Sequence, residues 1–212
     1  MKILVYSSLY PNNIQPNHGV FIKERMTRVN NLPDCEIKVV APVPYYPNIN
    51  IGSRSSYAQI SRYEKRDGIE VFHPRYFMIP KVGMPTYAWT MFRSVVPAIK
   101  NIQKQFDFDL IDAHYMYPDG VAGLYLARYF KKPLVVSARG SDINLFSKFP
   151  RIKRLMLRAL DGADNAISVS EALKKVMIEM GASGDDISVI PNGVDQQKFY
   201  MQDKESVRAQ LN

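Results

Sequence analysis

Arg139-Gly140-Ser141-Asp142 places a permanent cation, a glycine, a hydroxyl and a carboxylate directly after the apolar run Leu134-Val135-Val136-Ser137-Ala138. Bounded by Pro133 before it and a polar break after it, that run reads as a buried parallel strand. Ligands of open α/β sheets bind beyond the carboxyl ends of such strands, so this loop is where an anion or a sugar would be held. The same four residues also suit a capped turn, with Ser141 and Asp142 satisfying helix amides and Arg139 solvated. His114 ends a second strand, Asp109 to His114, and Asp119 and Gly120 follow in the turn behind it. An imidazole there can hold a phosphate or a sugar hydroxyl, or move a proton near pH 7, although a lone His is more often structural. His114 and Arg139 end consecutive strands, which tend to be spatial neighbours.

A third candidate is the start of the first helix. Gly19 opens it with His18 beside it, so backbone amides and the helix dipole could meet an anion; a glycine chosen only for a tight turn explains the residue equally well. No GxGxxG accompanies it, which disfavours a nicotinamide or flavin enzyme. Lys148, Arg151, Arg154 and Arg158 share one face of a helix, which reads either as a solvated stripe or as a surface for anionic lipids. Glu171 and Glu179 are eight residues apart, more than two helical turns, and suit a helix N-terminus and a solvated position.

These groups need elements to hold them. Lys2 to Ser8 reads as the first strand and Gly19 onward as an amphipathic helix with Ile22, Met26, Val29 and Leu32 inward. Glu36 to Ala41 is a second strand, after which VPYYPNINIGSRSS reads as loop. Tyr57 to Glu64 and Ile69 to Phe77 read as an edge hairpin around Asp67-Gly68. A helix follows Pro85, with Trp89, Phe92, Val96, Ile99, Ile102 and Phe106 as its core face and Pro97 kinking or dividing it. Helices at Gly120 to Phe130, Arg151 to Leu160 and Glu171 to Met180, closed by Gly181, alternate with strands at Asn165 to Ser170 and Ile187 to Ile190. Such alternation predicts a Rossmann-like α/β fold: a doubly wound, mainly parallel sheet with helices on both faces and an edge hairpin. Residues 1–190 read as one domain. Residues 191–212 read as a linker and the start of a second domain.

Composition narrows the classes. With 46% hydrophobic and 23% charged residues in 212, the chain can bury a full core, and no apolar run approaches a membrane span. The opening apolar stretch is too short for a signal-peptide core, and a single cysteine, Cys35, forms no internal disulfide; a buried strand start in a reducing cytoplasm suits it. A net charge of +8 implies an acidic partner. Without zinc-finger spacing, a helix-turn-helix pattern or RNP aromatics, no nucleic-acid partner is expected.

LVYSSLYP with Gly19, DLIDAHYMYPDGVAGLYLAR, KPLVVSARGSDIN, AISVSEALKKVMIEMG and ISVIPNGVDQQKF, in this order, resemble the amino-terminal half of glycosyltransferase family 4. The resemblance implies one half of a GT-B fold, which holds a glycan or lipid-linked acceptor while a second domain holds the nucleotide sugar. It implies transfer with retention of configuration and without a metal or other cofactor. By position it matches the loop around Gly19, His114, Arg139 and Asp142 to the family's site; catalytic roles are accordingly expected for Arg139, His114 and Asp142, and substrate contacts for His18, Gly19, Asp119, Gly140 and Ser141. Arg139 stands where many members have a His, and an arginine cannot act as a base. The nucleotide-binding residues fall beyond Asn192 to Asp195, so the chain alone is expected to be inactive. The basic stripe would make the enzyme peripheral to the inner face of the cytoplasmic membrane, building a surface polysaccharide or lipid-linked glycan. A non-catalytic module binding a phosphorylated glycan or lipid is the alternative.

Overall fold

The structure, a computed structural model, describes residues 1–45, 52–78, 83–197 and 199–211. The chain runs β1 (Lys2–Tyr6), α1 (Val20–Asn30), β2 (Glu36–Val40), β3 (Val43–Pro44), β4 (Tyr63–Arg66), β5 (Ile69–Phe72), β6 (Arg75–Tyr76), α2 (Tyr87–Gln103) and β7 (Leu110–His114). It continues with α3 (Val121–Phe130), β8 (Leu134–Ala138), α4 (Ser141–Phe146), α5 (Pro150–Asp161), β9 (Asn165–Ser168), α6 (Glu171–Met180), β10 (Ile187–Val189) and α7 (Lys204–Leu211). Among the described residues, eight strands form one sheet in the order β10-β9-β8-β7-β1-β2-β5-β4. Every neighbour is parallel except β4, which returns antiparallel on β5. Strand order therefore reverses at β1. From there β2 lies on one side and β7 on the other, which opens a crevice at their carboxyl ends.

The sheet is doubly wound because it carries apolar residues on both faces. On one face Leu4, Tyr6, Ile111, Ala113, Leu134 and Val136 pack under α2, α3, α5 and α6. On the other, Ile3, Val5, Ile37, Val39 and Val71 meet Ile22 and Met26 of α1. Local chemistry fixes the ends of the elements. The Ser170 hydroxyl caps α6 by accepting from the Leu173 amide at 3.2 Å, and Gly181 closes it at φ 112°. In the β4–β5 hairpin Arg66 faces Ile69 across Asp67 and Gly68, both at positive φ, as a two-residue turn requires.

Four local expectations are corrected. Trp89 is 57% exposed rather than core, because the buried stripe of α2 starts with Ala88, Met91 and Val95, one position before Trp89, Phe92 and Val96, and meets the expected face only at Ile99 and Ile102. Pro97 does not divide α2, which runs unbroken from Tyr87 to Gln103; it sits on the exposed side, where the carbonyl it frees can reach water. Residues 52–59 form a 3-10 helix, so the hairpin's first strand starts only at Tyr63, and the second breaks at His73-Pro74 into β5 and β6. Of the expected loop after β2, residues 46–51 lie outside the described residues. Cys35 is partly exposed rather than buried.

Candidate functional site

Side chains alternate along a strand, so Asp112 and His114 of β7 share the sheet face on which α1 lies, and Ser137 of β8 stands opposite His114 in register. His114 is fully buried. Its Nδ1 lies 2.7 Å from Nη2 of Arg139, and its Nε2 lies 3.1 Å from Oδ2 of Asp112. Arg139 Nη1 in turn donates to Oδ1 of Asn192 at 3.0 Å, and the guanidinium stands 5.4 Å from the Phe21 ring centroid. A polar chain therefore runs from Asp112 through His114 and Arg139 to Asn192, beside the crevice where strand order reverses. The Ser7 hydroxyl ties the two sides of that crevice by donating to the His114 carbonyl at 3.1 Å.

Electrostatics sort the roles. Burial lowers the His114 pKa, and the positive charges of Arg139 and Arg25 add to this against the opposing pull of Asp112, so the ring is neutral at pH 7. Burial would raise the Asp112 pKa, but His114, Arg139 and Arg25 hold it below the usual range, and it stays ionised. Burial brings Arg139 down to about 10, with Arg25 adding, which leaves it a cation. Arg25 Nη2 donates to the carbonyls of Ile190 and Pro191 at 2.9 and 3.2 Å, and Arg28 pairs with Asp195 at 3.3 Å. These contacts draw the segment after β10 over α1, enclosing about 490 Å³ between Phe21, Arg25, Arg28, Asn192 and Phe199. A second opening of about 280 Å³ lies on the other side of Arg139, against Gly140, Asn144, Val169, Ser170 and Leu173.

The remaining predicted residues are placed as follows. Asp142 is fully buried at the start of α4 and accepts from the amides of Met116, Gly140 and Arg139 at 2.6, 2.8 and 3.1 Å, so its oxygens are committed to backbone. Gly140 takes φ 116°, and the exposed Ser141 hydroxyl lies 3.2 Å from the Tyr115 hydroxyl. Asp119 is buried and accepts from the amide and hydroxyl of Ser8. Gly19 opens α1 at φ 69°, and a Cβ there would stand 2.3 Å from the Leu9 carbonyl oxygen, so close approach of the first loop demands glycine. His18 beside it is half-buried, and burial lowers its pKa. Lys148, Arg151, Arg154 and Arg158 are exposed on α5 and the turn before it, with no ion pair among the described residues. Glu171 and Glu179 lie exposed on α6. No group of three His, Cys, Asp or Glu among the described residues could hold a metal ion, and no described helix is long and apolar enough to cross a membrane.

Asp119 carries a pH dependence. Burial pushes its pKa up to about 7 against the Ser8 donors. Between the ordinary carboxyl range and pH 7 the folded state therefore binds the proton more tightly than the unfolded chain, and stability falls as pH rises through that window. The loss is at most about 4 kcal/mol. Asp119→Asn keeps an oxygen for the Ser8 amide and removes the titration. It is expected to melt roughly 5–10 °C above wild type at pH 7.5 and close to it at pH 4.5. A constant difference across a pH series of thermal melts would refute this.

Sequence reading missed Asp112, Arg25 and Asn192. The Asp112-Ala113-His114 alternation was the available signal for the first; the other two join the site only through tertiary contacts.

Comparison with known proteins gives a consistent result. The family model described as Glycosyltransferase Family 4 matches residues 55–198. TuaC of Bacillus subtilis, named as a teichuronic acid biosynthesis glycosyltransferase, is 30% identical over the whole chain, which covers 55% of TuaC. MJ1178 of Methanocaldococcus jannaschii, named as an uncharacterized glycosyltransferase, is 29% identical over 48% of the chain and 28% of its own length. The chain thus spans about half or less of the curated relatives it matches. Among solved structures, sucrose-phosphate synthase of Thermosynechococcus elongatus superposes with a TM-score of 0.70 at 12% identity, over the whole chain and 52% of that protein. HepE of Anabaena in complex with UDP-glucose gives 0.58 at 16% identity, over the whole chain and 50% of that protein. At these identities the structural likeness establishes the fold.

Proposed function

The chain belongs to glycosyltransferase family 4, and from that premise we propose that it forms the acceptor-holding side of a retaining, metal-independent transferase acting on a nucleotide sugar. The observation that carries the reading is the cation pair Arg139 and Arg25 on the α1 side of the sheet, with Arg139 anchored to the neutral His114 at the carboxyl edge. In this reaction the bond between the anomeric carbon and the diphosphate breaks, the leaving nucleoside diphosphate takes the electron pair, and the acceptor hydroxyl oxygen bonds the anomeric carbon while its proton passes to the leaving diphosphate. A preorganised cation in a partly desolvated crevice stabilises that charge as it develops. Neither Arg139 nor His114 acts as a base in this reading: the guanidinium stays protonated, and the His114 Nδ1 lone pair is engaged.

A uridine-type donor is supported by the UDP and UDP-glucose complexes of HepE, and a polysaccharide or lipid-linked glycan acceptor by the name of TuaC. The reading leaves donor binding to the portion of the relatives that the chain does not span. It sets the enzyme at the inner face of the cytoplasmic membrane, with Lys148, Arg151, Arg154 and Arg158 toward anionic lipid. Arg151→Glu with Arg154→Glu is accordingly expected to reduce co-sedimentation with phosphatidylglycerol vesicles at least tenfold. Equal pelleting of variant and wild type would remove the membrane from the reading.

The test of function is transfer itself. The enzyme, expressed over the full length of its relatives, is expected to move label from a UDP-sugar into a lipid or polymer fraction, while the 212-residue chain alone does not. No transfer from any nucleotide sugar, with acceptor binding retained, would favour the non-catalytic module.

A further inference from the structure

We propose that Asp112 is a positioning residue of this site: it keeps the His114 ring in one neutral tautomer, so that the Nδ1 lone pair anchors the Arg139 guanidinium. The inference rests on the reading above, in which Arg139 faces the substrate.

Hydrogen-bond chemistry on the two sides of the ring agrees. A guanidinium N–H can only donate, so Nδ1, 2.7 Å from Arg139 Nη2, carries the lone pair. In a neutral imidazole the proton then sits on Nε2, and the group it faces is Oδ2 of Asp112 at 3.1 Å. That contact is bent away from the hydrogen-bond direction, leaving Nε2 and Asp112 Oδ1 without in-line partners. What Asp112 supplies is therefore chiefly negative charge, which favours the N–H on its own side of the ring. The same charge offsets two guanidiniums, since Arg139 and Arg25 both act on Asp112 and on His114. Asp142, the other carboxylate acting on Arg139, has its oxygens committed to backbone amides. Without Asp112 the Nε2 proton would lose the negative charge it faces, and the two cations would face a buried ring with no free counter-charge.

The experiment is a long-range proton–nitrogen NMR spectrum of the His114 ring in the 212-residue chain, paired with kinetics of the longer enzyme. Wild type is expected to show protonated Nε2 and bare Nδ1 at pH 7 to 8. Asp112→Asn, which keeps the shape but not the charge, should hold that tautomer less firmly than wild type. Asp112→Ala should give mixed tautomers and lower kcat/KM for the nucleotide sugar about 10- to 100-fold, with Asp112→Asn recovering only a minor part of the loss. Asp112→Leu, which fills the space without accepting, replaces the alanine variant if that does not fold. A protonated Nδ1 in wild type, or a wild-type ring spectrum in Asp112→Ala or Asp112→Leu, would overturn the proposal. Absence of transfer by the wild-type enzyme would instead count against the transferase reading, and the ring spectra would still decide the role of Asp112.

Discussion

Replacing Arg139 by alanine is expected to lower kcat/KM for the nucleotide sugar by about 10²–10³-fold, the loss typical of removing one preorganised charge donor. The guanidinium combines two functions that no smaller cation combines. Its two terminal nitrogens reach His114 Nδ1 and Asn192 Oδ1 at once, fixing the plane of the fork between the sheet edge and the segment after β10. Arg139→Lys keeps the charge but reaches only one of those partners, so it should recover less than a tenth of the lost rate. The substitution is partly solvated and leaves the strands intact, and the melting temperature should fall by only a few degrees, reflecting one unpaired ring nitrogen. A steady-state assay beside a thermal melt separates the effects. Wild-type kcat/KM in Arg139→Ala would take the site away from this edge of the sheet.

That His114 and Arg139 could be placed beside each other from sequence has a physical basis. β1 and β8 are short, mainly apolar runs that end in polar loops, and the strand-to-helix alternation admits few topologies, so the neighbourhood of His114 and Arg139 followed from connection rules. What failed is equally instructive. In α2 the large aromatic residues drew the predicted core face, but Ala88 and Met91 fit the tight space over the sheet, while Trp89 stands on the solvent side. Phe92 forms a second, shallower contact with Tyr125 and Tyr129 of α3, at ring centroids 5.8 and 5.9 Å away. A helix with apolar residues on two faces has no single phase to read. Arg25 lies off the apolar stripe of α1. Its partners are carbonyls 165 and 166 residues away, which no local pattern encodes.

Asp142→Ala is expected to unfold the site's framework, reading out as lost stability before lost chemistry. Its two oxygens accept from the amides of Met116, Arg139 and Gly140, and so tie the turn after β7 to the turn after β8. Each buried amide left without an acceptor costs about 1–3 kcal/mol. Three of them, partly relieved by water entering the vacated space, come to roughly 4 kcal/mol, or about 8–16 °C in melting temperature for a chain of this size. Asp142→Asn retains the shape and one acceptor oxygen but turns a donor toward at least one of the same amides, so it should lose about half as much. Burial already raises the Asp142 pKa against the pull of the Met116, Arg139 and Gly140 amides, which places the carboxylate in the fold's interior rather than in contact with solvent or substrate. Should Asp142→Ala melt within 2 °C of wild type (~1 kcal/mol or less) while transfer is abolished, the carboxylate would have to be counted among the catalytic groups after all. A melting loss of the expected size, with activity surviving at temperatures where the variant remains folded, would leave Arg139, with His114 behind it, as the part of this loop that meets the substrate.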